Sequence, residues 1–446
     1  MGFWTEGDGK SAGVMGMGLS GRAAARRLRA SGFAVTGIDS GDQVQPCEWC
    51  GRMVTGASDP SVLEGLDCLV LSPGVRPSSP IPAAAGDMGI PVTGEIELAG
   101  LHARAPILAV TGSNGKTTTV EWLGYVLGKA GRRTVVAGNV GFPFSDAVLD
   151  HPDPEFFVVE VSSYQLETVE TFHPTAAVIL NVTPDHLERH GSMEGYLRAK
   201  AAVFRNQDGS DTCVLNAEDE FLMKLSGSLG GREMLFSRTG RVGCGAYAAD
   251  GEILLSPGGE TVRVIKTEEL SLRGRHNLSN ALAVVCMASA AGLRPWEMVA
   301  GLRSFAGVPH RIESVAVHDG IEYVNDSKST NVDSLRVALE SFSKPVILLA
   351  GGQAKDTDYS VLRTLVTCMT SRVVLFGRDA GRLMEAWKGT VPIKVTGNLE
   401  EALEAAVREA VPGDVILLSP GCASFDQYRN FEERGEHFRR LVEAMA

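Results

Sequence analysis

One octapeptide constrains this chain more than any other feature. Thr111-Gly112-Ser113-Asn114-Gly115-Lys116-Thr117-Thr118 follows the apolar run Ile107-Leu108-Ala109-Val110 and precedes a helical stretch, Val120–Lys129. A strand that runs through glycines into a helix turns backbone N–H groups toward a phosphate, and the helix N-terminus adds partial positive charge. Lys116 can reach the β and γ phosphates of a nucleotide, and the Thr117 hydroxyl can ligate magnesium. The general phosphate-loop pattern asks for glycine where Val110 stands, so the strand–loop–helix context carries the reading.

A second loop, Gly16-Met17-Gly18-Leu19-Ser20-Gly21, opens the helical stretch Arg22–Arg29 and fits G-x-G-x-x-G in full. Asp39 ends the next strand, where an acidic residue can meet a ribose hydroxyl. Read alone, this predicts NAD. Any nucleoside diphosphate uses the same geometry, and so does a close strand–helix turn that binds nothing.

The rest of the chain alternates short apolar runs ending in Gly, Ser or Asp with helical segments, the pattern of α/β units with parallel sheets. At 446 residues, two to four domains are expected. Three blocks emerge: residues 1–103, with runs Val35–Asp39 and Cys68–Leu71; residues 104–307, with Phe156–Val161 and Ala177–Asn181; and residues 308–446, with Val346–Leu349, Val373–Phe376 and Val415–Leu418. The Gly-rich stretch 230–265 reads as short antiparallel strands. Ligands of open α/β sheets sit at the carboxyl ends of strands, where these glycines and serines lie.

A net charge of -12 argues against nonspecific nucleic-acid binding, which needs clustered Lys and Arg. The eight scattered Cys fit reduced thiols, and Cys47-Glu48-Trp49-Cys50 has no second pair to complete a zinc site. Glu6 and Asp8 interrupt any apolar signal core, and no run of 18 apolar residues occurs. A cytoplasmic protein without membrane partners is expected.

Further segments follow the octapeptide in order. They are Gly138-Asn139-Val140-Gly141, Glu160-Val161-Ser162-Ser163, Asn181-Val182-Thr183-Pro184-Asp185-His186, Tyr196-Leu197-Arg198-Ala199-Lys200, His276-Asn277-Leu278-Ser279-Asn280, Pro309-His310-Arg311 and Asn325-Asp326-Ser327-Lys328-Ser329-Thr330-Asn331. Over nearly the full chain this series resembles the Mur ligases, with the ATP signature shared by folylpolyglutamate synthetases. The run Leu418-Ser419-Pro420-Gly421-Cys422-Ala423-Ser424-Phe425-Asp426-Gln427-Tyr428, continued through Gly435, is similar to the D-glutamate-adding branch of that family.

The resemblance implies three α/β domains: a Rossmann-like N-terminal domain, a P-loop-type central ATPase and a Rossmann-like C-terminal domain. It implies transfer of the γ-phosphoryl of ATP onto the carboxylate of UDP-N-acetylmuramoyl-L-alanine (UDP-MurNAc-L-Ala). The amine of D-glutamate then attacks the acyl phosphate, and ADP and phosphate leave. A monomer is expected.

It also assigns roles. Lys116, His186 and Lys200 are implied as catalytic. ATP falls to Gly112, Ser113, Asn114, Gly115, Lys116, Thr117, Thr118, Asn277, Asn280, Arg311, Asp326 and Lys328. Two Mg2+ sites fall to Thr117, Glu160, His186 and Lys200, the last as a carbamate. The UDP-substrate falls to Gly18, Leu19, Ser20, Asp39, Ser40, Ser72, Gly74 and Asn139, and D-glutamate to His186, Thr330, Lys355, Ser424 and Phe431. Gly41 stands where the family often has a basic residue, which leaves the uracil contacts open.

Sibling ligases that add other amino acids are the nearest rivals. An NAD-dependent dehydrogenase rests only on Gly16–Gly21 and Asp39 and leaves Lys116, Lys200 and the third block unexplained; a P-loop switch whose ATPase drives conformational change would release phosphate whether or not D-glutamate is present.

Overall fold

The expected βα alternation is built three times, on three sheets. The computed structural model describes residues 2–272, 274–342, 344–354 and 357–445, so Lys355 lies outside the described residues. These residues fall into two compact units: the chain up to 271 with 277–305, and 272–276 with the chain from 306 onward.

The first unit holds two sheets. In the first, the strands lie in the order Arg52–Val54, Ala34–Ile38, Ser11–Met15, Cys68–Leu71 and Val92–Gly94, all parallel. The order reverses beside Ser11–Met15, so the crevice between its carboxyl end and that of Cys68–Leu71 is the switch point where such sheets bind ligands. The helix Leu19–Ala30 buries Ala23, Ala24, Ala25 and Leu28. Gly21 is needed for this approach, because a Cβ there would lie 1.9 Å from the carbonyl oxygen of Gly16. Cys47 packs in the same core with Met17, and Cys50 and Met53 pack against it.

The central sheet runs Thr134–Gly138, Phe156–Glu160, Ile107–Thr111, Ala176–Ile179, Thr212–Asn216 and Arg232–Ser237 in parallel, then Gly245–Ala249, Glu252–Ser256 and Val262–Lys266. The expectation of antiparallel strands over 230–265 holds only for the last three. Arg232–Ser237 pairs in parallel on both sides, continuing the central sheet. The reason is physical: residue alternation reports which side chains are buried, not the direction of the neighbouring strand.

The helix that follows the octapeptide spans Lys116–Lys129. Its inward side is anchored by Trp122, which is fully buried and stacks on Phe305 with centroids 5.6 Å apart. An aromatic side chain of this size buries roughly 150–250 Å², enough to fix one helix face.

Buried carboxylates join the two sheets of this unit. On the helix Glu95–His102, Glu97 accepts hydrogen bonds from the backbone N–H groups of Glu170, Thr171 and Phe172 at 3.0, 2.7 and 2.9 Å. Glu95 accepts one from Ser145 at 2.6 Å. Such partners are what makes a buried carboxylate tolerable.

The second unit holds a sheet in the order Glu313–His318, Ile321–Asn325, Val415–Leu418, Val346–Gly351, Thr370–Phe376 and Ile393–Val395, with only the first pair antiparallel. Its two faces carry separate apolar clusters, one around Leu348, Leu375 and Trp387, the other around Leu349, Phe376 and Phe438. The α/β class expected for all three blocks is therefore the one observed.

Candidate active site

The octapeptide leaves the strand Ile107–Thr111 at its carboxyl end and enters the helix at Lys116. Gly115 caps that helix with φ 85°, a left-handed value that glycine adopts without strain. A Cβ at Gly115 would lie 2.5 Å from Oδ1 of Asn280, so Asn280 abuts the loop as well as sharing a helix face with Asn277. Asn280 Nδ2 donates to Asn277 Oδ1 at 3.3 Å, and both are buried. The loop is braced from the segment 181–183: Asn114 N donates to Asn181 Oδ1 at 2.8 Å, and Thr183 N to Ser113 Oγ at 3.0 Å. Lys116 Nζ folds back over the loop, donating to the carbonyls of Gly112 and Ser113 at 2.8 and 3.0 Å. Thr117 and Thr118 are buried beside it.

Parallel register sets Val110 opposite Glu160, so that carboxylate emerges at the same sheet edge. Glu160 is 2% exposed. Its Oε1 accepts from Asn139 Nδ2 at 2.9 Å, while Oε2 has no hydrogen-bond partner among the described residues. An unpartnered carboxylate oxygen in a buried place is costly, and a divalent cation satisfies it. The unpartnered oxygen of Glu160 is therefore one that a divalent cation would satisfy.

Lys200 lies on the helix Met193–Ala201, whose N-cap Ser192 accepts from Gly195 N at 3.0 Å. It is not a surface lysine: it is 1% exposed, with Nζ 4.3 Å from the centroid of Tyr196. Burial, and next the positive charge of Lys116, push its amine well below the usual lysine range, while Asp185 and Glu160 pull the other way. Burial therefore shifts the balance toward the neutral amine.

His186 has left-handed backbone, φ 52°, and its Nδ1 lies 2.8 Å from the hydroxyl of Tyr164. The Arg189 guanidinium lies over the Tyr164 ring, 3.9 Å from its centroid. Tyr164 and Arg189 are not singled out by the sequence, and Tyr196 stands there only as the first residue of the segment ending at Lys200, without a role. The signal was present in their spacing: Tyr164 directly follows Ser162-Ser163, and Arg189 lies three residues past His186.

At the switch point of the first sheet, Ser72 Oγ donates to the carbonyl of Gly16 at 2.5 Å. Gly18 caps the helix, and Leu19 beside it is 74% exposed. Asp39 uses both oxygens to hold loops together, accepting from Met17 N at 2.7 Å and Gly41 N at 2.9 Å. Ser40 is exposed next to it.

In the second unit, Asp326 is buried between Ser419 Oγ (2.7 Å) and the backbone N–H of Ile312 (3.2 Å), and burial pushes its carboxyl up to about 7. His310 and Ile312 flank Arg311 with φ of 63° and 46°, strain that the surrounding bonds must hold. Lys328 Nζ lies 5.5 Å from the Phe431 centroid. Ser424 is buried and Thr330 half-buried. Arg434, which the sequence offers only as part of the run ending at Gly435 and without a role, is fully buried and organises this end. It donates to Ser327 Oγ at 3.0 Å, to the Ser327 carbonyl at 2.8 Å and to the Cys422 carbonyl at 3.1 and 3.2 Å.

Three family descriptions match the chain in succession: the Mur ligase MurD-like N-terminal domain at residues 10–94, the Mur ligase middle domain at 110–288, and the Mur ligase glutamate ligase domain at 310–422. UDP-N-acetylmuramate-alanine ligase MurC of Thermotoga maritima shares the fold with a TM-score of 0.61 at 20% identity, over 98% of this chain and 100% of that one. The fold is thus that of the three-domain Mur ligases. A protein of Pelotomaculum thermopropionicum named UDP-N-acetylmuramoylalanine--D-glutamate ligase is 42% identical, over 96% of each chain. One of the same name from Myxococcus xanthus is 41% identical, over 97% of this chain and 98% of that one. The chain belongs to the Mur ligase family, in its D-glutamate ligase branch. The dehydrogenase reading of Gly16–Gly21 falls with that membership.

Proposed function

We propose that this chain joins D-glutamate to UDP-MurNAc-L-Ala with cleavage of ATP to ADP and phosphate, a step in building the peptidoglycan precursor. The observation that carries the reading is the grouping of Lys116, Glu160 and the buried Lys200 at one sheet edge, in a chain aligned end to end with relatives named for that reaction. A carboxylate is a poor electrophile, so the γ-phosphoryl of ATP first makes it an acyl phosphate. The amine of D-glutamate attacks its carbonyl carbon, and phosphate leaves with the electrons of the broken C–O bond.

In this reading the loop Gly112–Thr118 cradles the phosphates, and Lys116 moves from its loop carbonyls to the transferred group. Asn277 and Asn280 line the ATP side. Glu160 with Thr117, and His186 with Lys200, are the residues suited to hold two Mg2+. Bound Mg2+ supplies neutralising charge where the substrate carboxylate meets the triphosphate. The depressed basicity of Lys200 supports its conversion by carbon dioxide to a carbamate, since only a neutral amine reacts. Asn139, bonded to Glu160, faces the reactive end of the UDP-substrate.

Gly18, Leu19 and Ser20 hold the diphosphate of that substrate, Asp39 and Ser40 its uridine end, and Ser72 and Gly74 its sugar. Arg311, Asp326 and Lys328 serve ATP. Thr330, Lys355, Ser424, Phe431 and His186 serve D-glutamate. We set the domain boundaries at residues 1–103, 104–307 and 308–446, and infer a cytoplasmic monomer; no helix among the described residues is long and apolar enough to cross a membrane.

The test is phosphate release with UDP-MurNAc-L-Ala and ATP. Turnover that needs D-glutamate and ignores L-glutamate is expected; turnover indifferent to the amino acid overturns the reading. Lys200→Ala is expected to lose most activity and to regain part of it with a short-chain carboxylate. Full activity without additive removes the carbamate from the account.

A further inference from the structure

Every nitrogen of the Arg189 guanidinium donates. Nε donates to Glu167 at 3.0 and 3.1 Å, and Nη2 reaches the same carboxylate at 2.7 Å. Nη1 donates to the carbonyl of Pro73 at 3.1 Å and Nη2 to that of Val75 at 3.3 Å. The face of the guanidinium covers Tyr164, whose hydroxyl meets His186 Nδ1. The side chain is 6% exposed, so these bonds form away from bulk water. One planar group therefore touches two things the reaction must bring together. One is the loop of the first sheet between Ser72 and Val75, and the other is the stack that orients His186.

We propose that Arg189 is a positioning residue that sets the reach between the sugar-binding loop of the nucleotide substrate and His186. The inference rests on the ligase reading above. The bidentate grip on Glu167 fixes the guanidinium plane, and a fixed plane transmits orientation in a way a flexible ammonium cannot. Tyr164 is the second part of the device: packed under Arg189, it presents its hydroxyl to Nδ1 of His186, while Nε2 lies 3.4 Å from the Asp185 carboxylate. His186 sits in left-handed backbone at the start of the short helix Leu187–His190, so its ring needs such outside support.

Two variants separate this role from bulk packing. Arg189→Lys keeps the charge and loses the plane, and Tyr164→Phe keeps the stack and loses the hydroxyl. For Arg189→Lys we expect kcat to fall about tenfold or more. The KM for UDP-MurNAc-L-Ala should rise several-fold, and the KM for ATP should stay within about twofold. For Tyr164→Phe we expect a smaller fall in kcat with the KM for UDP-MurNAc-L-Ala unchanged, and a shift of the His186 ring nitrogens in the 15N spectrum of the full-length protein. Wild-type kinetics and wild-type His186 signals in both variants overturn the proposal. If Arg189→Lys does not fold, Tyr164→Phe decides alone: an unmoved His186 signal with unchanged kcat is the overturning result. Failure of the unaltered protein to bind UDP-MurNAc-L-Ala sinks the ligase reading instead, a separate outcome.

Discussion

The two glycine loops of the first unit are the same device put to opposite uses. Each ends a central parallel strand, turns through glycine with positive φ (Gly16 at 87°, Gly115 at 85°) and opens a helix of twelve or more residues. The difference is in charge. The loop 112–118 brings Lys116 inward and faces Glu160 and Lys200. The loop 16–21 has its basic neighbour, Arg22, turned away, donating to the carbonyls of Met17, Gln45 and Pro46. Its acid, Asp39, closes backbone on backbone. Backbone geometry suffices to hold a diphosphate, whereas moving a phosphoryl group needs cations where charge develops.

The sharpest way to break this comparison is to remove the cation. Lys116→Ala is expected to lower kcat for phosphate release by about 10²–10³, the scale of losing one preorganised donor. Binding of UDP-MurNAc-L-Ala, measured by calorimetry, should stay unchanged. A parallel loss of substrate binding would mean the two loops are not divided by role.

How far the sequence discloses this division follows from distance along the chain. Lys116, Thr117 and the strand and helix around them are local, and 3.6- and 2-residue periods reveal them. Glu160 was legible because a carboxylate inside an apolar strand demands a partner. Arg434 and Arg189 were not, since their bonds reach Ser327 and Pro73, 107 and 116 residues away. Nothing periodic marks such a contact. The direction of Arg232–Ser237 was misread for the same reason: pairing is a property of two segments. Left-handed backbone at His186, His310 and Ile312 also escapes a sequence reading, because histidine adopts it only in a minority of cases and a β-branched isoleucine hardly at all.

Smaller effects sharpen the comparison. Gly21→Ala would set a methyl 1.9 Å from the Gly16 carbonyl, where only backbone can yield, so a loss of about 1–3 kcal/mol in unfolding free energy is expected. Gly115→Ala meets Asn280 and a left-handed φ, and about 1–2 kcal/mol is expected, with weakened ATP binding as well. Chemical denaturation measures both. Asp39→Asn is milder still: it keeps one acceptor and should raise the KM for UDP-MurNAc-L-Ala about tenfold, near 1.4 kcal/mol, while the KM for ATP holds. A wild-type KM would show that Met17 and Gly41 hold their loop without the carboxylate.

A last comparison sets the two units, rather than the two loops, side by side. Each buries one carboxyl that is pushed up to about 7, Glu95 in the first and Asp326 in the second, in both cases chiefly by desolvation. A carboxyl whose pKa is higher folded than unfolded binds more protons in the native state. Unfolding free energy therefore rises as pH falls from about 7 toward 4, and above 7 the dependence on these groups vanishes, because both are then ionised in either state. Each group contributes at most about 1.4 kcal/mol per pH unit within that window. Glu95→Gln should remove its share from the first unit, and Asp326→Asn from the second. Thermal unfolding of each variant at pH 5.5 and pH 8 measures the change. The two glutamine and asparagine variants should show a smaller gain on acidification than the unaltered protein. An identical gain would mean that both carboxyls stay ionised when buried, held by Ser145 and by Ser419 with Arg311 more strongly than desolvation opposes them.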